Sequence, residues 1–311
     1  MELEGKIIAV TGCEGFLGSN LMKLLQEENC EIKGVSHTDY DLRKREDVER
    51  ALDNNPDFVF HAAARMGGIS MSYTHPGDLF YDNLLMTTHV IDVAKEKEVK
   101  RIINPLSNSS YPLHTEGKLN ETELWSGTIH ESALAFGMAK RVSCVQAWAY
   151  NKQHGFETIS LVLPNMYGPF GHFDETRAHA LNALVKKFVD AKESGDDKVT
   201  VWGTGKPVRE WLYIEEGARA MINALDIPYT PEPINIGIGQ GVSMSDLAET
   251  IRDAVGFNGK IEYDSSRPDG APYKVMDNSR MKEVFNWMPE TNLGDGISKT
   301  VEWYKANRES T

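Results

Sequence analysis

Gly12, Gly15 and Gly18 are spaced G-x-x-G-x-x-G directly after an apolar run, residues 6–11 (KIIAVT), and directly before an amphipathic stretch that starts at Phe16. Glycines so placed let the chain turn tightly, let backbone N–H groups approach a pyrophosphate, and let the helix pack closely on the strand. The chemistry expected of this turn is dinucleotide binding. Whether NAD or NADP is preferred depends on an Arg or Lys standing by for the 2′-phosphate. Cys13 and Glu14 occupy the turn, and Ser36, His37, Thr38 and Asp39 follow the second strand, with no Arg or Lys among them. Asp39 is the candidate acceptor for ribose hydroxyls and Glu14 opposes a phosphate. NAD is therefore expected over NADP, with His37 the one side chain there able to face a phosphate.

Lys187, Trp202 and Arg209 offer a second kind of chemistry. Arg209 can fork onto a phosphate, Lys187 adds a point charge, and Trp202 is an apolar plate for a base or sugar. The plainer alternative keeps Trp202 and Trp211 as core aromatics and pairs Arg209 with Glu210 at the surface. His179, taken alone, reads as a surface histidine at a helix start. Metal chemistry has little to stand on. The nine histidines show no H-x-x-x-H spacing, and Cys13, Cys30 and Cys144 form no close pair. A hydrolase elbow of the G-x-S-x-G type is absent.

The elements that must position these residues alternate along the chain. Residues 6–11, 31–36, 58–61, 101–104 and 158–163 read as buried strands, and 16–28, 45–52, 77–97 and 131–154 as helices. Leu17, Leu21, Leu24 and Leu25 fall on one stripe of the first helix. The alternation predicts an α/β domain with a doubly wound parallel (Rossmann) sheet over residues 1–163. After Pro164 the rhythm gives way to Gly- and Pro-rich loops near 169, 203–207 and 267–272, with helical patterns at 179–192 and 245–255. Residues 164–311 are expected to form mainly a smaller α/β substrate-binding lobe, with segments near 215–240 (215–225 and 234–238) returning to the first domain.

Composition sets outer limits. A chain of 311 residues allows two domains, and 33 Lys and Arg against 46 Asp and Glu give a net charge of −13, which opposes nucleic acid and anionic membranes. Hydrophobic residues at 41% and charged residues at 25% suit a folded water-soluble protein, and no 18-residue apolar run could span a bilayer. Three scattered cysteines and an N-terminus that enters a strand without an export signal lead to an expectation of a reducing, cytoplasmic setting.

Several longer segments carry a family likeness: His61-Ala-Ala-Ala-Arg-Met-Gly-Gly-Ile69, Ser107-Asn-Ser-Ser-Tyr-Pro112, Phe136-Gly-Met-Ala-Lys140, Tyr167-Gly-Pro169, Val201-Trp-Gly-Thr-Gly-Lys-Pro-Val-Arg-Glu-Trp211, Asn235-Ile-Gly237 and Arg267-Pro-Asp-Gly270. By these the chain resembles, over essentially its whole length, the extended branch of the short-chain dehydrogenase/reductase superfamily, and within it the GDP-L-fucose synthase family of bifunctional epimerase/reductases. The resemblance implies a Rossmann fold, a nicotinamide dinucleotide and a nucleoside-diphosphate sugar, most readily GDP-linked, with 4-keto reduction by hydride transfer. It implies Ser107 hydrogen-bonded to the C4 oxygen, Lys140 on the nicotinamide ribose, position 136 as proton donor, and His179 and position 109 as acid and base of epimerisation. It further implies cofactor contacts at Gly12, Glu14, Gly15, Phe16, Leu17, Gly18, Asp39, Leu42, Ala62, Ala63, Lys140, Pro164 and His179, and substrate contacts at Asn165, Lys187, Trp202, Arg209, Asp269 and Lys274. A homodimer formed through the two long helices is implied as well.

Two positions depart from the family pattern. Ser109 stands where the fucose synthases have a cysteine, and an alcohol is a far weaker acid than a thiol of pKa about 8.5, which counts against double epimerisation. Phe136 stands where the superfamily has the tyrosine of Tyr-x-x-x-Lys; a positioned acid contributes roughly 10²- to 10⁴-fold. Three readings of Phe136 follow: a Tyr-to-Phe change made to trap substrate, a different donor such as Ser107, Ser109 or Tyr111, or binding without turnover. The alternatives to a reductase are a 4-epimerase or dehydratase with tightly held NAD, and a catalytically silent nucleotide-sugar-binding protein.

Overall fold

The computed structural model describes residues 3–67, 69–113, 117–174, 178–267 and 269–308. Five parallel strands follow one another through the first half of the chain: β1 (Ile7–Thr11), β2 (Glu31–Val35), β3 (Phe58–His61), β4 (Arg101–Ser107) and β5 (Glu157–Leu163). They alternate with α1 (Phe16–Leu25), α2 (Arg45–Ala51), α3 (Ile69–Thr74), α4 (Pro76–Glu96) and α5 (Glu131–His154). The second half holds β6 (Asn165–Tyr167), α6 (Ala180–Ser194), β7 (Lys198–Trp202), β8 (Val208–Arg209), β9 (Trp211–Tyr213) and α7 (Ile214–Asn223). It continues with β10 (Ile234–Asn235), β11 (Val242–Ser243), α8 (Met244–Val255), β12 (Lys260–Asp264), β13 (Tyr273–Lys274), α9 (Ser279–Val284) and α10 (Leu293–Ala306).

The main sheet has the order β10-β5-β4-β3-β1-β2 with every pair parallel. Its strands read as unbroken apolar runs because both faces are covered. Ile8, Val10, Phe58, Phe60 and Ile159 pack against α1 and α7 on one face. Ala9, Val59 and Ile102 pack against Val48 of α2 and Val90, Ile91 and Val93 of α4 on the other. The winding direction reverses at β1, flanked by β2 and β3, and that switch point opens the crevice at the carboxyl ends of the strands where dinucleotides bind. From the second half of the chain, β10 pairs with β5, and α7 buries Ala218 and Met221 beside α1.

A second core gathers Leu184, Val185 and Phe188 of α6, Val199 and Val201 of β7, Leu247 and Ile251 of α8, and Ile297 and Val301 of α10. Three small sheets border it: β11-β8-β13, β12-β7 and β6-β9. These strands of two to five residues were hidden from sequence reading by the glycines and prolines around them. Their partners lie far away in the chain, so no local periodicity announces them. Within the 234–238 segment, strand β10 ends at Asn235, where its ladder with β5 stops.

Candidate active site

β1 delivers the chain into the glycine turn. Gly12 takes φ +66° and donates its N–H to Val35 O at 2.9 Å, tying the turn to the end of β2. A Cβ on Gly12 would lie 2.7 Å from Ala63 Cα, and one on Gly18 would lie 2.0 Å from Gly12 O, so both glycines are demanded by close packing. Gly15 differs. It is exposed, and a Cβ there would meet only Gly12 O at 3.2 Å. Gly15 is also the N-cap of α1, with no side-chain cap and no acidic residue in the first turn. The first amides of α1 and the positive end of its dipole thus face an uncovered side of the turn, which fits a pyrophosphate. Leu17 and Gly18 are buried behind it, Phe16 is half-buried, and Ala63 is fixed by its N–H to Thr11 Oγ1 at 3.2 Å. Thr11 Oγ1 also meets His61 Nδ1 at 2.9 Å; burial pushes His61 down to about 3, which keeps that ring neutral.

At the end of β2, Ser36 Oγ donates to Glu14 Oε2 at 2.9 Å and lies 2.5 Å from Thr38 Oγ1, while His37 Nδ1 is 3.6 Å from Glu14 Oε2. Asp39 is exposed in the following turn, close enough for its charge to raise the Cys13 thiol pKa after burial and Glu14. Leu42 is buried in the core cluster beneath β2, at 6% exposure. Pro164 is buried between β5 and β6.

The serine turn caps β4. Ser107 is the N-cap of a short 3-10 turn, Asn108–Ser110, and its Oγ accepts from Ser109 N at 3.1 Å and from Ser109 Oγ at 2.9 Å. Helix α5 lies hard against this turn: a Cβ on Gly137 would sit 2.7 Å from Ser109 O, and Arg141 Nε donates to Ser110 O at 2.7 Å. One helical turn separates Phe136 from Lys140, whose Nζ stands 5.8 Å from the Phe136 ring centre. Lys140 is 4% exposed, and burial pushes its ammonium down to about 8. Tyr111 is fully buried and donates its hydroxyl to Asn235 Oδ1 at 2.7 Å, with burial pushing its pKa up. It is spent on the core and is removed from the candidate proton donors.

His179 is the N-cap of α6, and its ring centre lies 6.0 Å from that of Phe16, which brings it to the glycine turn. Burial first, then the neighbouring His172, lowers its pKa, leaving a neutral imidazole able to accept a proton.

The substrate side is built on two adjacent strands. Arg209 and Lys274 are register partners in the parallel β8-β13 pair, so both side chains leave the same face. Among the described residues Arg209 donates to backbone oxygens alone, Val208 O at 2.9 Å and Asp269 O at 3.4 Å. Lys274 Nζ reaches Asn108 O in the serine turn at 3.4 Å. Among the described residues neither cation has a carboxylate ion-pair partner. Burial lowers the Arg209 pKa, and burial together with the Arg209 charge pushes Lys274 down to about 8. Two largely desolvated cations side by side, with the nearby Asp269 carboxylate committed to Thr204, are a site suited to a strongly anionic group.

Trp202 is 53% exposed, so the core reading of this residue fails, whereas Trp211 is indeed buried. Lys187 Nζ and Arg267 Cζ each lie 4.9 Å from the Trp202 ring centre. Asp269 spends its carboxylate on Thr204, accepting from its N at 2.7 Å and its Oγ1 at 2.8 Å, and so shapes the loop beside Trp202. Asn165 Nδ2 donates to Glu210 O at 3.2 Å.

Glu210 departs from the alternative that paired it with Arg209. It does not pair with Arg209 at the surface but is 0% exposed, accepting from Met276 N at 2.7 Å and Gly239 N at 2.8 Å. Burial pushes its carboxyl up to about 7. It locks the 237–239 loop and the chain after β13 to the strand bearing Arg209. The only sequence hint is its place directly after an arginine that has no other reason to be buried.

The structure thus brings together the glycine turn with His179, and the serine turn with Phe136, Lys140 and Lys274. Gly68 and Pro268 of the likeness segments lie outside the described residues. Among the described residues no group of three or more metal-ligating side chains forms.

Comparison with known proteins agrees with this geometry. The model of the NAD dependent epimerase/dehydratase family matches residues 8–237. GDP-L-fucose synthase 1 of Arabidopsis thaliana is 37% identical over 304 residues, 96% of this chain and 93% of that protein. A GDP-6-OMe-4-keto-L-xylo-heptose reductase from C. jejuni superimposes with a TM-score of 0.90 at 27% identity, covering 99% of each chain. A GDP-mannoheptose C4 reductase from Campylobacter jejuni, solved with NADP bound, gives 0.88 at 28% identity, covering 98% of this chain and 99% of its own. The preference for NAD drawn from residues 36–39 gains no support from these relatives. The window does hold hydrogen-bonding groups other than Arg and Lys, the hydroxyls of Ser36 and Thr38 and the ring of His37, gathered around Glu14. With its glycine turn at the sheet's switch point, its serine turn docked on the α5 residues Gly137 and Arg141 and a sequence match across three quarters of its length, the chain belongs to the NAD dependent epimerase/dehydratase family.

Proposed function

We propose that this enzyme is an NADPH-dependent reductase of a GDP-linked 4-keto sugar, without double epimerisation at the neighbouring carbons. The observation that carries the reading is the Arg209–Lys274 pair, an anion site whose lysine reaches the serine turn and so spans the distance between a diphosphate and a reacting sugar carbon. The similarity to GDP-sugar reductases supports the guanosine diphosphate. Lys187, Trp202 and Arg267 form the polar and aromatic wall for the nucleotide.

Gly12 to Gly18 and the amino end of α1 hold the pyrophosphate of the cofactor. Ser36, His37 and Thr38 hold the 2′-phosphate; Glu14 is exposed and swings from Ser36 at little cost. When bound, the reduced nicotinamide supplies a hydride. Lys140 holds the ribose through its ammonium, Ser107 donates to the C4 oxygen of the sugar, and His179 closes the crevice beside Phe16. Ser109 is bonded to Ser107 and carries an alcohol where an epimerising thiol would be needed, which favours reduction alone.

Tyr81 of α4 and Leu134, Val145 and Trp148 of α5 are exposed apolar residues on two helices that pack together. They supply the surface for a homodimer, and the cytosol is the setting proposed for the enzyme. Loss of NADPH absorbance with a GDP-4-keto-6-deoxy sugar in D2O tests the function. The expected result is GDP-dependent oxidation with no deuterium at C3 or C5. Equal use of a UDP-linked substrate, or deuterium at those carbons, overturns it.

A further inference from the structure

Phe136 has no proton to give, and Tyr111 is locked in the core, so the source of the proton for the C4 oxygen has to be found elsewhere. Ser107 Oγ has two lone pairs and one proton. Both lone pairs are engaged, one by the Ser109 N–H at 3.1 Å and one by the Ser109 hydroxyl at 2.9 Å. Among the described residues nothing accepts the proton of Ser107 itself. Its remaining hydrogen-bonding capacity is donation into the crevice.

The two bonds from Ser109 have a second effect. Donors aimed at an oxygen stabilise its deprotonated form, and a chain of hydroxyls polarises along its length. Ser107 is therefore a better acid than an isolated serine. The turn cannot slacken, because Gly137 is packed against Ser109 O and Arg141 holds Ser110 O. The Lys274 ammonium reaches Asn108 O in the same turn at 3.4 Å and favours negative charge there. Ser109 is half-buried, on the accessible side of the turn relative to the buried Asn108 and Ser110.

We infer that in this chain the Ser109 and Ser107 hydroxyls form a two-step proton relay that replaces the phenol missing at position 136. The inference rests on the reductase reading above. In the balanced step, the carbonyl carbon of the sugar gains a hydride from the reduced nicotinamide, which leaves oxidised, and the C=O π pair becomes a lone pair on the oxygen. That oxygen takes the proton of Ser107 Oγ, Ser107 takes the proton of Ser109 Oγ, and Ser109 is reprotonated by water. Ser109 touches no substrate in this scheme; it acts through Ser107 and positions its proton.

The test is a double-mutant cycle on the full-length enzyme with Ser109→Ala and Phe136→Tyr, read in single-turnover rates and proton inventory. Ser109→Ala is expected to slow the native chain at least ~10-fold, Ser109→Thr to recover most of that loss, and Ser109→Ala to have less than ~2-fold effect once Phe136→Tyr supplies a phenol. The native chain should show a curved proton inventory, two protons moving together, and the Phe136→Tyr enzyme a linear one. A readout independent of turnover is the carbonyl carbon-13 resonance of a C4-labelled keto sugar bound with oxidised cofactor. It should move upfield with Ser107→Ala and, by a smaller amount, with Ser109→Ala. Equal slowing by Ser109→Ala in both backgrounds, or none in the native chain, overturns the relay. A native chain that never reduces the sugar while Phe136→Tyr does overturns the relay but leaves standing the reading of the site as a GDP-sugar reductase site, one that lacks its proton donor. Absence of reduction in both, with the GDP-sugar bound, defeats the reductase reading instead.

Discussion

Replacing Lys274 by methionine should stabilise the ligand-free protein and cripple nucleotide binding at once. Lys274 is pushed from 10.5 to about 8 by burial and by Arg209. A displacement of that size corresponds to a ceiling of about 3 kcal/mol of unfavourable free energy at neutral pH. Partial solvent access screens it, so about 1–2 kcal/mol is the working figure. Methionine keeps the apolar stem and discards the charge. With an unfolding entropy of roughly 2.1 cal/mol/K per residue over the 311 residues, the melting temperature should rise by about 2–3 °C. Losing one of two cations on a diphosphate costs ~2–5 kcal/mol, or at least about 30-fold in affinity. At GDP one hundred times the native Kd, ligand stabilises the native protein by about 2.7 kcal/mol and the variant by about 0.9. The folded-state pKa lies below the unfolded one, so the native protein gains stability as pH rises from 8 to 10.5, and the variant's advantage shrinks over that window. Thermal melts with and without GDP at several pH values measure all of this. A variant that folds normally, melts below the native protein and keeps its full GDP-induced shift would refute the reasoning.

Gly18→Ala places a methyl 2.0 Å from Gly12 O; the turn must open, with a stability loss of ~1–3 kcal/mol and at least ~10-fold weaker NADPH binding in fluorescence titration. NADPH affinity, measured without sugar nucleotide so that Lys274 plays no part, should be flat from pH 7 to 7.5. It should weaken above pH 8 as Lys140 loses its proton, and a curve unchanged to pH 9.5 would count against the ammonium's role. Glu210→Gln cannot accept from both Met276 N and Gly239 N, because one of its oxygens becomes a donor. The lost bond should cost about 1–3 kcal/mol and raise KM for the GDP-sugar several-fold, with NADPH affinity unchanged.

The covered sheet and its glycine turn were legible in the sequence because both are local. Apolar runs at β1, β3 and β5 and leucines at helical spacing in α1 carry their own periodicity, and three glycines at fixed intervals describe one tight turn. The serine turn and the Phe136–Lys140 spacing were legible for the same reason. What lay beyond reach was everything decided by partners far apart in the chain. Arg209 and Lys274 become neighbours only because β8 pairs with β13, and Glu210 becomes a buried anchor only because residues 239 and 276 fold onto it. The same distinction separates Trp202 from Trp211, two similar-looking aromatics in one segment. Burial and charge pairing are sums over the whole fold, and the amino-acid order alone fixes only those parts that one turn of chain can contain.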